Sequence, residues 1–164
     1  MTFAAFRHHT SRDGFEVVFM DRHRFEGQTT GVADGRPWAL RYAIEVDDDW
    51  RTRRADVGGL VLERDGAGHW RVDGEPAPAL DGCLDVDLEA SAFTNTFPVA
   101  RGATDAPAAW VRFGGEVERL EQTYRRSGAR TYDYACPELG FRAELVYGAD
   151  GVVLEYPQIA SRVL

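Results

Sequence analysis

Residues 38–46 alternate without a fault. Trp38, Leu40, Tyr42, Ile44 and Val46 fall on one side of an extended chain, and Ala39, Arg41, Ala43 and Glu45 fall on the other. Five large apolar side chains at period two require a strand with one broad buried face, because a helix would scatter them around its axis. Such a strand is not stable by itself. It needs paired neighbours and a layer to cover its oily side.

The rest of the chain offers those neighbours. Phe15, Val17 and Phe19 alternate with Glu16, although Met20 and His23 blur the pattern before Phe25. Gly27 to Pro37 reads as a further strand and a turn, with Asp34-Gly35 at its tip. After Asp47-Asp48-Asp49, Trp50 to Val57 sets Arg51, Arg53 and Val57 against Thr52, Arg54 and Asp56. Gly58-Gly59 marks a break, and Leu60–Glu63 and His69–Val72 flank an Asp65-Gly66 turn, with Trp70 and Val72 facing the core. Downstream, Ala109–Phe113, Val117–Arg125 and Thr131–Cys136 read as strands. Phe141–Tyr147 aligns Phe141, Ala143, Leu145 and Tyr147, and Val152–Tyr156 aligns Val152, Leu154 and Tyr156 after the Ala149-Asp150-Gly151 turn. Many short strands with Asp-Gly turns predict a mainly β, antiparallel barrel, roll or sandwich. One or two short helices are expected, the best candidate being Glu89–Asn95. No linker, repeat or shift of composition divides the chain, so residues 1–164 are expected to form one domain.

The net charge of −8 disfavours nonspecific nucleic-acid binding, and no nucleic-acid partner is expected. Every basic residue is Arg, whose planar fork suits carboxylate pairing. The opening residues lack a signal-peptide pattern and no apolar run approaches the ~20 residues that span a bilayer, so the expected location is the cytoplasm, with no transmembrane segment. In that compartment Cys83 and Cys136 are expected as reduced, buried thiols. Nothing in the pattern sets an oligomeric state.

The unusual stretch is Leu80 to Pro98, LDGCLDVDLEASAFTNTFP. Leu84, Val86 and Leu88 alternate with Asp85, Asp87 and Glu89, which predicts a half-buried strand with three acids on one face. Successive acids about 7 Å apart could give one or two ligands to a hard cation, but a calcium site gathers six to eight oxygens. His8, His9, His23 and His69 lack ligand spacing, so no metal and no other cofactor is expected, and the acids read more simply as a solvent-facing or Arg-paired stripe. Asp85 and Asp87 could instead be the carboxyl pair of a hydrolase acting on a sugar or phosphate ester. No nucleophile elbow, Walker loop or dinucleotide fingerprint is present. Trp38, Tyr42, Trp70, Trp110, Tyr124, Tyr132, Tyr134, Phe141, Tyr147 and Tyr156 fall mostly on inward faces. They would make either an ordinary aromatic core or the wall of a site for an amphipathic ligand.

The central stretch resembles a small bacterial family, long a domain of unknown function, described as putative glycolipid-binding. Its motif has the form Asp-Gly-Cys-x-Asp-(Val/Ile)-Asp-Leu-x-x-(Ser/Thr)-x-x-Thr-Asn-Thr-x-Pro. This chain carries it at Asp81, Gly82, Cys83, Asp85, Val86, Asp87, Leu88, Ser91, Thr94, Asn95, Thr96 and Pro98. Weaker likenesses run through Arg41-Tyr42, Asp47-x-x-Trp50, Ala109-Trp110-Val111, Gln122-x-Tyr124, Tyr132-x-Tyr134 and Tyr156-Pro157. Ala100-Arg101 departs from an expected basic pair, and the first fourteen residues show no likeness. The resemblance implies a strongly curved β-roll, like that of bacterial lipoprotein carriers, and noncatalytic binding of an amphipathic small molecule or lipid. On that reading the faces of Trp38–Val46, Phe141–Tyr147 and Val152–Tyr156 hold the acyl part, and Trp38, Tyr42, Trp110, Tyr124, Tyr134 and Tyr156 line the site. Asp85, Asp87 and Asn95, with Arg41 or Arg53, bond the polar head. The motif could also be architectural, with Asp81 and Asp85 capping turns, Asn95 tying loops together and Asp87 pairing with a buried Arg.

Overall fold

The computed structural model describes residues 1–10 and 12–164. The first half of the chain is a meander of eight strands: β1 (Thr2–His8), β2 (Arg12–Asp21), β3 (Arg24–Ala33), β4 (Arg36–Val46), β5 (Thr52–Val57), β6 (Leu60–Arg64), β7 (Trp70–Val72) and β8 (Glu75–Pro76). An internal segment follows, with β9 (Asp85–Leu88), a 3-10 turn (Phe93–Asn95), helix α1 (Thr96–Ala100), β10 (Ala108–Val111) and β11 (Val117–Leu120). The chain closes with β12 (Thr123–Arg126), β13 (Thr131–Cys136), β14 (Phe141–Tyr147), β15 (Val153–Tyr156) and β16 (Ala160–Arg162).

The two meanders join into one antiparallel sheet of thirteen strands, because β16 pairs with β1 in the register Phe6↔Arg162 and His8↔Ala160. The sheet curls around the internal segment, which touches its inner side from both wings. Phe25 on β3 packs on Phe93 and Phe97, and Tyr147 on β14 donates a 3.0 Å hydrogen bond to the Asn95 carbonyl. The predicted curved β-roll is the observed fold. What fills it is a second, three-stranded sheet, ordered β11-β10-β9, in which β9 and β10 run parallel.

Because β9 lies inside the roll, Asp85, Val86, Asp87 and Leu88 are all buried, and the expected half-exposed acidic face is not there. The helix also begins later than Glu89. Pro98 limits how early it can start, because proline fits only the first turn, and Gly102 at a φ of 70° follows its end. On β2 the inward residues are Glu16, Val18 and Met20, whereas Phe15 and Phe19 point outward and are exposed.

Two bulges reset the period-two pattern. Between β4 and β5 the pairing moves from Glu45↔Arg54 to Val46↔Thr52, so Arg53 is the extra residue and Thr52 turns inward. Between β14 and β15 it moves from Val146↔Glu155 to Tyr147↔Val153, so Leu154 is extra and Val153 takes its expected place in the core. An extra residue flips every side chain beyond it to the other face. Across β3, Gly27 lies under the Tyr42 ring, where a Cβ would come within 2.1 Å of Cζ. The missing side chain lets Tyr42 reach Glu16 and donate a 2.6 Å hydrogen bond to its carboxylate.

Candidate functional site

Asp85 and Asp87 stand on the same face of β9, and their parallel neighbours on β10 decide their surroundings. Asp85 is in register with Ala108 and Asp87 with Trp110. Arg101 closes on Asp85 in a two-point fork, Nη1 to Oδ1 at 2.6 Å and Nη2 to Oδ2 at 2.7 Å, and its Nη1 also reaches the Trp50 carbonyl at 3.2 Å. Burial pushes the Asp85 carboxyl upward and the Arg101 fork opposes it. The bidentate geometry keeps the pair ionic and leaves neither oxygen free of a cation.

Asp87 has no cation of that kind. Its Oδ1 accepts a 2.7 Å hydrogen bond from the Thr94 hydroxyl, which in turn accepts the Leu88 amide at 3.3 Å. Among the described residues no side chain donates to Oδ2. Asp87 forms part of the wall of a cavity of about 270 Å³ between the inner sheet and the β12–β16 wing. Asn95, Trp110, Tyr134, Phe141 and Tyr156 line the same space, and Leu139, Phe141 and Ile159 form an apolar lip. Burial lifts the Asp87 carboxyl to about 6, against the Thr94 hydrogen bond and with the help of the negative Asp85. The phenols of Tyr134 and Tyr156 are held far above their ordinary value, first by burial, and remain protonated donors.

Of the sequence-derived candidates, the fold gathers Asp87, Asn95, Trp110, Tyr134 and Tyr156 around this cavity. Tyr124 lies behind it and fixes the Asn95 amide through a 2.7 Å bond from its hydroxyl to Oδ1. Trp38 packs on Phe113, ring centroids 4.8 Å apart and planes tilted by 43°, in an adjoining cleft that shares Arg12, Glu89 and Arg112 with the cavity. The remaining four lie elsewhere. Tyr42 is spent on Glu16 and Asp85 on Arg101, while Arg41 and Arg53 are exposed on the outer face. The faces expected to hold an acyl chain are largely filled by the internal segment, whereas Trp38, Phe141, Val152 and Tyr156 border clefts.

The cavity mouth also uses residues the sequence reading passed over. The Arg12 Nη1 bonds to the Glu89 carbonyl at 2.5 Å, and its guanidinium lies 5.1 Å from the Phe113 ring centroid. Arg112 lies over Trp110 at 4.9 Å. Arg12 sits in the fourteen opening residues, which carry no motif, and its pairing with Ala33 on β3 and its bond to the Glu89 carbonyl hold it at the mouth. Among the described residues no group of three His, Cys, Asp or Glu side chains could hold a metal ion.

The chain matches the family described as "Putative glycolipid-binding" over residues 6–162. It belongs to that family. The match begins at Phe6, inside the stretch where the motif likeness was missing. A solved DUF1089 family protein from Pseudomonas aeruginosa shares the fold at a TM-score of 0.81 and 32% identity, over 92% of each chain. No curated protein matches.

In this member of the family most of the long motif is architecture. Asp81 accepts the Trp70 amide at 3.2 Å, and Gly82 takes a φ of 89° that favours glycine. The Cys83 carbonyl accepts the Trp70 indole N–H at 3.0 Å, and burial raises its own thiol to about 11. Ser91 donates a 2.5 Å hydrogen bond to Glu16, which also accepts the Ala92 amide at 2.9 Å. Asp87 and Asn95 are the motif's polar side chains that turn to the cavity together with Ser91.

Proposed function

We propose that the cavity takes the hydroxylated head of an amphipathic ligand, a glycolipid or similar glycoside, and binds it without chemical change. The observation that carries this reading is the placement of Asp87, with one unclaimed oxygen, on the wall of a space lined by Trp110, Tyr134, Phe141 and Tyr156. A carboxylate and an amide recognise paired hydroxyls, and aromatic faces cover the C–H faces of a sugar ring. A volume of about 270 Å³ lies below the usual ~300–1,000 Å³ of drug-sized sites, so it suits a head group. The tail would leave across Leu139, Phe141 and Ile159. Family membership supports the same ligand class.

A second reading has one observation in its favour: a buried carboxyl lifted to about 6 is what a general acid requires. The original pairing with Asp85 has no support, because that carboxylate is locked onto Arg101. Native mass spectrometry of the protein incubated with bacterial lipid extract separates these readings. Retention of an intact glycolipid, displaced by a short alkyl glycoside, is the expected result. Appearance of cleaved head group would favour the hydrolase. Ligand-free protein with every lipid and glycoside tried would remove the binding reading.

A further inference from the structure

The internal segment divides the roll, and a second cavity of about 700 Å³ lies beyond it, at the end of the roll bounded by the β2–β3 turn and the β14–β15 turn. Its wall is made by Met20, Phe25, Trp50, Phe93 and Val152, with Thr96 among them. Thr96 is 3% exposed, and its Oγ1 has no hydrogen-bond partner. Buried hydroxyls are rarely left so, because the orphaned donor costs about 1–3 kcal/mol. At the rim stand Arg22 and Arg162, the latter bonded to Asp150 at 2.7 Å. Among the described residues Arg22 has no ion-pair partner.

We infer that this cavity is an acyl-chain site, in which apolar walls take the chain and the Thr96 hydroxyl donates to the acyl carbonyl oxygen. The volume fits an elongated apolar ligand, and each buried methylene contributes about 0.8 kcal/mol. A plain hydrocarbon would leave Thr96 orphaned. A chain with a carbonyl near its polar end satisfies Thr96 and places that end toward Arg22. A fatty acid and an ester lipid share this chemistry. The site is separate from the Asp87 cavity, since Asn95 faces one and Phe93 and Thr96 the other, so it does not depend on the head-group reading.

Trp50 in the wall provides the readout. The full chain is titrated with dibrominated stearic acid and with the monoglyceride of the same acid, and hexadecane, which has no acceptor, is added as competitor. Saturable quenching of tryptophan emission, lost in Trp50→Phe, is expected from the first two, and hexadecane should compete at least about tenfold more weakly. If only the acid binds, the source is a free fatty acid with its charge toward Arg22; if the monoglyceride binds equally, an ester lipid. Thr96→Val should weaken the carbonyl ligands by about tenfold, the equivalent of one hydrogen bond, and Thr96→Ser should restore them. Trp110→Ala should change nothing here. Absence of saturable quenching, or equal affinity of wild type and Thr96→Val for the acid and for the monoglyceride, overturns the inference.

Discussion

Asp85 and Asp87 leave the same face of β9 two residues apart, yet one is a structural ion and the other faces a cavity. At Asp85 the neighbouring strand offers Ala108, whose small side chain leaves room for the Arg101 fork. At Asp87 it offers Trp110, which holds the space open and brings no cation. The difference lies in what stands beside each acid on β10. It teaches that an acidic strand motif can be divided, residue by residue, between holding the fold and facing a cavity.

The largest effect should come from breaking the Asp85–Arg101 pair. Arg101→Met leaves Asp85 buried without its cation, and a loss of about 3–5 kcal/mol in urea unfolding is expected; a loss under 1 kcal/mol would mean that Asp85 is not held as an ion. Asp87→Asn should act with the opposite sign. Its native carboxyl titrates near 6 against an ordinary 3.8, so the ionised form costs stability above pH 6, on the order of 3 kcal/mol, and that cost disappears as pH falls towards 4. The variant should therefore be more stable than wild type at pH 7 and equal to it near pH 4. The difference between the two proteins is the quantity to follow, because buried His8, lowered to about 4 chiefly by burial, loses stability in both as pH falls from 6.5.

Smaller effects sharpen the Asp87 side of the comparison. Tyr124→Phe removes the hydroxyl that orients Asn95, and a tenfold loss of glycoside affinity with about 1 kcal/mol of stability is expected by calorimetry. Arg41→Ala and Arg53→Ala, on the outer face, should leave affinity unchanged and stability within about 0.5 kcal/mol.

The sheet was legible because its strands have one wet face and one dry face. Trp38–Val46 and Phe141–Tyr147 declare themselves by alternation alone, and the hairpin at Asp34-Gly35 by its turn residues, both at positive φ. Alternation misled where geometry interrupts it. The bulges at Arg53 and Leu154 cost one residue each and reversed the faces around them. It misled again where a strand has no wet face, as in β9, since Asp85 and Asp87 look like solvent residues until Arg101, Thr94 and the cavity are seen. Glu16 is the sharpest case, a fully buried acid between two outward phenylalanines, explained only by Tyr42, Ser91 and the Ala92 amide arriving from distant parts of the chain. The candidate site was half legible for the same reason: aromatic residues and motif acids mark themselves, but Arg12 and Arg112 reach the mouth through pairings that no local pattern encodes.

The most direct test of the site is calorimetric titration of an alkyl glycoside into wild type and Asp87→Asn at pH 7, with melting curves taken on the same samples. One saturable site in wild type is expected, weakened at least about tenfold in the variant while its melting temperature holds or rises. Equal binding by both proteins, or no binding by either while both are folded, would contradict the assignment of Asp87 to a head-group site.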